Sequence, residues 1–135
     1  MNVLNVSGHQ RELTRWAVLF ALAALIMACN TGPGQPVRPV PDGRPERGPE
    51  AFRVVGCVSC HTIPGVPLAH ATVGPPLDHF ADRTYIAGSL LNTTDNLLYW
   101  ILTPQAVEPG TAMPNMGMTE QQARDMVAYL YTLTR

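Results

Sequence analysis

Apolar residues are spread very unevenly along this chain. They run without a polar break from Trp16 to Ala28, behind Arg11 and Arg15. From 30 to 47 almost no large apolar side chain occurs, and Pro33, Pro36, Pro39, Pro41 and Pro45 are interspersed with Gly32, Gly34 and Gly43. Periodic apolar positions return at Gly48. Pro49 and Glu50 suit a helix start, and Phe52 and Val55 share one face of the turn and a half that leads to Cys57. Residues 62–77 are rich in Pro and Gly and read as loop. The pattern then predicts a short helix over Thr84 to Leu91. Another follows over Asp95 to Thr103, capped by Thr94, with Leu97, Leu98, Ile101 and Leu102 on one side and Pro104 as its stop. The last helix is the best marked: Thr119 and Gln122 form a capping box, and Ala123, Met126, Val127, Leu130 and Leu133 repeat at the spacing of an apolar stripe. No stretch shows strand alternation and no segment repeats, so the predicted domain is all-α.

These shifts divide the chain in three. Residues 1–28, a basic start followed by an apolar run, have the form of a secretory signal. As a helix the run from Trp16 to Ala28 spans about 20 Å, short of a bilayer core of about 30 Å. Ile26, Met27, Ala28 and Cys29 resemble a lipoprotein processing box, in which Cys29 becomes the acylated N-terminus; in the other reading Cys29 is one more apolar residue of a retained anchor. Residues 29–47 then form a lipidated Pro/Gly tether, extended at about 3.1 Å per residue, and 48–135 form the folded domain. The expected place is the periplasmic, outer face of a bacterial cytoplasmic membrane.

Composition removes some functions. A net charge of -1, with all nine basic residues Arg and none Lys, makes no electrostatic case for nucleic acid. Of three cysteines, one ends the apolar run, which leaves Cys57 and Cys60 as a pair with two residues between them and His61 directly after. Cys-x-x-Cys-His is the attachment signature of a c-type heme. On one helical turn both thiols reach the vinyl groups of a single porphyrin, and His61 can swing beneath its centre to bind iron. A thioredoxin-like pair wants a βαβ setting. A structural zinc site wants a second ligand pair, and His70 and His79 stand singly.

The second axial ligand has to come from Met113, Met116, Met118, His70 or His79. A Met thioether raises the reduction potential and a second His lowers it. Met113 lies in Pro109-Gly110-Thr111-Ala112-Met113-Pro114, where backbone can approach the far heme face, and Met116 stays open as an alternative. Met118 precedes the Thr119 cap, where an apolar residue packs as a staple. His70 and His79 follow the attachment motif closely and read as surface histidines.

From Gly48 to Arg135 the chain resembles a class I monoheme cytochrome c domain, of the type fused to subunit II of some heme-copper oxidases. The stretches that carry the likeness are Gly48 through Phe52 to Cys57, Gly74-Pro75-Pro76-Leu77, Asn96-Leu97 with Trp100, Pro104-Gln105, Pro109-Gly110 with Met113-Pro114, and Val127-Ala128-Tyr129-Leu130. The resemblance implies that Met113 is the distal ligand and that the Pro75 carbonyl accepts the proton of the other ring nitrogen of His61, a bond that orients a metal-binding imidazole. It also implies that first and last helices cross, with Gly48 and Phe52 against Tyr129, and that Trp100 lies near the heme or in the core. Glu108 stands where many relatives have Lys, so docking by a basic ring is not expected. No copper-binding stretch precedes the domain in this sequence, which points away from the oxidase subunit itself.

The function these readings imply is a one-electron carrier with a single covalent heme c, tethered to the membrane. Its partners would be redox proteins of a complex such as alternative complex III or a heme-copper oxidase. The alternative is a heme-based peroxidase or gas sensor, which needs an open sixth position; no distal His or Arg pair accompanies the Met segment to favour it.

Overall fold

A computed structural model describes residues 38–135. The predicted signal 1–28, Cys29 and the tether up to residue 37 lie outside the described residues.

Four helices organise the fold: α1 (Gly48–Val55), α2 (Thr94–Leu102), α3 (Pro104–Val107) and α4 (Glu120–Leu130). The capping box at Thr119 and Gln122 starts α4 as its sequence requires, each residue satisfying the other's backbone N–H. The stripe behind it, Ala123, Met126, Val127 and Leu130, is buried. α1 crosses this helix. Gly48 lies so close to the Tyr129 side chain that a Cβ has no room there, and Phe52 meets the Tyr129 ring edge to face, centroids 6.0 Å apart. Leu97, Leu98 and Ile101 of α2 complete the same core with Phe52, Met126 and Val127. Crossed first and last helices are thus what the chain adopts, as the resemblance implies.

Three elements differ from expectation. Residues 84–91 form a hairpin, not a helix: β1 (Tyr85–Ile86) pairs antiparallel with β2 (Leu90–Leu91). Its turn puts Ala87 and Gly88 in the left-handed region, at φ 48° and 77°, which a helix cannot accommodate. Buried Asn92 fixes the hairpin by donating from Nδ2 to the carbonyls of Phe80 and Arg83, 3.0 Å each, while Tyr131 donates to its Oδ1. The domain is therefore mostly helical with one small hairpin. Next, Thr93 and not Thr94 caps α2, accepting the Asn96 N–H. Last, Pro104 stops α2 but also opens α3, since its ring suits a first helical position.

The larger difference concerns residues 38–47. Their Pro and Gly content predicts an extended tether, yet they lie along α4 as a strap. The strap lends its carbonyls as acceptors: Thr94 Oγ1 donates to Pro39, Arg124 Nη1 to Pro41 and Gln121 Nε2 to Asp42, at 3.0, 3.3 and 2.8 Å. Buried Asp125 accepts the Arg44 N–H at 2.9 Å and Gln121 Nε2 at 2.8 Å. Arg38 donates to the Ala81 carbonyl and stacks over the Tyr131 ring, 5.1 Å from its centroid. Any segment upstream therefore joins the folded unit near Arg38 rather than at Gly48.

Asp125→Ala leaves the Arg44 N–H without its acceptor and is expected to destabilise the domain by about 2 kcal/mol, read as a fall in the midpoint of thermal unfolding. Arg44→Ala, which keeps the donating backbone N–H, is expected to leave the midpoint nearly unchanged. Equal effects of the two would show that the strap is not held this way.

Candidate functional site: a heme attachment turn

α1 ends at Gly56, φ 95°, whose N–H returns to the Phe52 carbonyl. The chain then tightens into a 3-10 turn over Cys57–Ser59. The Cys57 carbonyl accepts both the Cys60 N–H, 3.2 Å, and the His61 N–H, 3.0 Å. This one turn presents two half-buried thiols and an imidazole together. Burial pushes the Cys57 thiol up to about 11, against a smaller opposing backbone hydrogen bond, so it is protonated at neutral pH.

The loop after His61 is shaped to meet that imidazole. Gly74 N–H donates to the Cys60 carbonyl at 2.7 Å and Leu77 N–H to the Thr62 carbonyl at 2.8 Å, which folds residues 74–77 back alongside the attachment turn. His61 Nδ1 lies 2.7 Å from the Pro75 carbonyl. A carbonyl only accepts, so Nδ1 carries a hydrogen, and in the neutral ring it is Nε2 that has the lone pair. Gly74 makes the approach possible: a Cβ there would sit 2.5 Å from Cε1 and 2.8 Å from Nδ1 of the ring. Behind it, Ile63, Val66 and Ala69 are buried in the core, and Tyr129 Oη donates to the Pro64 carbonyl at 2.7 Å, so α4 braces the loop. A loop by composition, this segment is packed like core.

On the other side, residues 108–119 run without regular structure between α3 and α4. Met113 is partly buried and packed on the core, as are Met118, at the staple position before the α4 cap, and Trp100. Met116 is 38% exposed, beside Gly56. His70 and His79 are exposed, the latter donating from Nδ1 to the Thr134 carbonyl, which agrees with surface roles. The structure thus brings Cys57, Cys60, His61 and Pro75 into one site. It also packs Met113, partly buried, on the core and leaves Met116 more exposed, its Cε beside Gly56. Sequence reasoning passed over the contact of Gly74 with the ring and the part of Gln105, whose Nε2 donates to the Met113 carbonyl at 2.7 Å; neither residue type signals such a role by itself.

Residues 45–134 match the family model described as cytochrome c. The chain belongs to the cytochrome c family. It is 35% identical over 88 residues to cytochrome c oxidase subunit 2 of Alkalihalophilus pseudofirmus, a match that takes in 64% of this chain and 25% of that protein. Against the same subunit of Bacillus sp. strain PS3 it is 34% identical over 90 residues, 62% of this chain and 25% of the other. The chain therefore spans about a quarter of the length of these oxidase subunits. With cytochrome c2 of Rhodopila globiformis it shares 31% identity over 105 residues, 69% of this chain and 96% of that protein. Membership means a heme c bound covalently through Cys57 and Cys60, and heme-based electron transfer as its chemistry. The residues present fit that group: two unpaired thiols on one turn, and an imidazole with one nitrogen committed to the Pro75 carbonyl and the other without a hydrogen-bond partner among the described residues.

Gly74→Ala is expected to push the His61 ring off the Pro75 carbonyl and cost about 1–3 kcal/mol of stability in the heme-loaded protein. Thermal unfolding measures the cost and the exchange rate of the His61 Nδ1 hydrogen reports the broken bond. An unchanged rate would show that the ring does not depend on the glycine.

Proposed function

We propose that this cytochrome c is a membrane-tethered one-electron carrier in which His61 and Met113 are the axial ligands, acting as a subunit or satellite of a respiratory or photosynthetic electron-transfer complex. The observation that supports the ligand assignment is the inequality of the methionines: Met113 is partly buried and packs on the core, Met116 is 38% exposed with its Cε beside Gly56, and Met118, also packed on the core, is held directly before the α4 cap. Heme c, when bound, supplies a one-electron Fe(III)/Fe(II) couple.

The chain's own residues do the rest. The bond between His61 Nδ1–H and the Pro75 carbonyl fixes the imidazole and leaves Nε2 as the nitrogen that would hold the heme iron. The Met113 thioether favours the reduced state and raises the potential. With both positions filled from the chain, oxygen and peroxide find no place to bind, which favours carriage of electrons over peroxidase or sensor chemistry.

The tether rests on the sequence of residues 1–37: a basic start, the apolar run and Cys29 at its end. Contacts between electron-transfer proteins are small and weak, so an anchor that holds carrier and partner in one membrane plane raises their encounter rate. In this reading Cys29 carries the lipid, the domain sits on the outer face of the cytoplasmic membrane, and the partner is a redox protein of that membrane. The similarity to oxidase subunits supports a heme-copper oxidase as one such complex, with alternative complex III as another.

The test is the visible spectrum of the ferric, membrane-extracted protein, read for the weak far-red band of thioether sulfur on ferric heme. Wild type and Met116→Ala are expected to show it and Met113→Ala to lack it; Cys29→Ser is expected to move the protein from the membrane to the soluble fraction. Heme without the band in the wild type would bring the open-site reading forward. A Cys29→Ser protein that stayed in the membrane would remove lipidation as the anchor.

A further inference from the structure

We infer that Gln105 is the positioning residue for Met113, the residue that decides how firmly the sixth ligand is held; the inference rests on the ligand assignment proposed above. Gln105 Nε2 donates to the Met113 carbonyl at 2.7 Å, and the Met113 N–H donates to Thr111 Oγ1 at 3.2 Å. Both backbone polar groups of the ligand residue are therefore engaged. The remaining hydrogen bonds of 109–118 among the described residues are short-range: Thr111 N–H to the Glu108 carbonyl, and Gly117 N–H to Asn115 Oδ1. Among the described residues, Gln105 makes the one hydrogen bond that joins this loop to a partner more than three residues away.

What Gln105 hangs from gives that bond its effect. It is the second residue of α3, directly after Pro104, which is fully buried. The Ala106 and Glu108 N–H groups close the α3 turn onto the Thr103 and Pro104 carbonyls. Thr103 in turn donates to the Tyr99 carbonyl of α2, whose Leu97 and Ile101 are core residues. The donor thus sits on a rigid element, and the acceptor is the backbone of a loop with no regular structure. Without the bond the loop regains conformational freedom, and the Met113 sulfur spends less time where it can bind. Gln105 touches neither heme nor partner in this account; it acts through Met113.

Loss of one such bond is worth about three- to tenfold in the equilibrium between held and released loop. The experiment uses the full-length heme-loaded ferric protein and imidazole as an external ligand that replaces Met113, followed by loss of the far-red band. Gln105→Ala, and Gln105→Glu, which keeps the size but cannot donate, are both expected to bind imidazole about three- to tenfold more tightly than wild type. The Met113 amide hydrogen is expected to exchange faster by a similar factor. Gln121→Ala, which removes the α4 side-chain amide that donates to the Asp42 carbonyl of the strap, is expected to match wild type in both readouts, separating the Gln105 effect from general loosening. Imidazole affinity and Met113 exchange unchanged in both Gln105 variants would overturn the inference while the ligand assignment stands. Absence of the band from the wild type, or its survival in Met113→Ala, would overturn both.

Discussion

The orientation of one imidazole is the constraint on which the rest of this structure depends. His61 follows Cys60 directly, so its ring must turn to a fixed angle if a porphyrin held by Cys57 and Cys60 is to find Nε2 beneath its centre. The Pro75 carbonyl imposes that angle by accepting the hydrogen bond that Nδ1–H donates. Much of the fold serves to keep this carbonyl in place. Gly74 leaves room for the ring, Gly74 N–H and Leu77 N–H tie the loop to the attachment turn, Tyr129 braces it at Pro64, and α1 locks Tyr129 through Gly48 and Phe52. A contact between first and last helices thereby reaches the metal-binding face in a few steps.

The two faces of the site are built differently. The proximal face is crossed by short hydrogen bonds between residues distant in sequence and backed by the buried Ile63, Val66 and Ala69. The Met113 loop of the distal face packs on the core through Met113 and Met118 and, among the described residues, has one hydrogen bond to a distant partner, through Gln105. Local stability follows the density of such contacts, so the distal face is the one able to yield. For an electron carrier this asymmetry is useful. In the proposed reading a rigid attachment side would limit the structural change that accompanies each electron, and the Gln105 bond would set how firmly Met113 is held.

How much of this could be read from the chain differs element by element. α1, α2 and α4 were legible because each carries its own signals: Pro49 at a helix start, threonine caps, and an apolar stripe. The attachment turn was legible because Cys57, Cys60 and His61 must be close in sequence for the chemistry to work. The hairpin at 85–91 was not, since strands of two residues are too short for alternation to show. α3 was hidden by Pro104, which can end one helix and begin the next. The strap was hidden for another reason. Pro and Gly content reports the lack of apolar side chains, but residues 38–47 are held mainly through backbone carbonyls, acceptors that every residue has, and their donors Thr94, Gln121 and Arg124 lie far along the chain. Gln105 is part of a stretch that carries the family likeness, but its bond to Met113 was hidden likewise, because the partner is a carbonyl eight residues on.

In the proposed reading both axial positions are filled by the chain's own side chains, His61 and Met113, and the molecule carries electrons rather than binding gases. The most direct measurement is a carbon monoxide titration of the dithionite-reduced, membrane-extracted protein at neutral pH, followed in the visible spectrum. The account expects the reduced spectrum to stay unchanged under saturating gas. Formation of a carbon monoxide complex at one equivalent per heme would contradict it and make the distal loop the gate of a ligand-binding site.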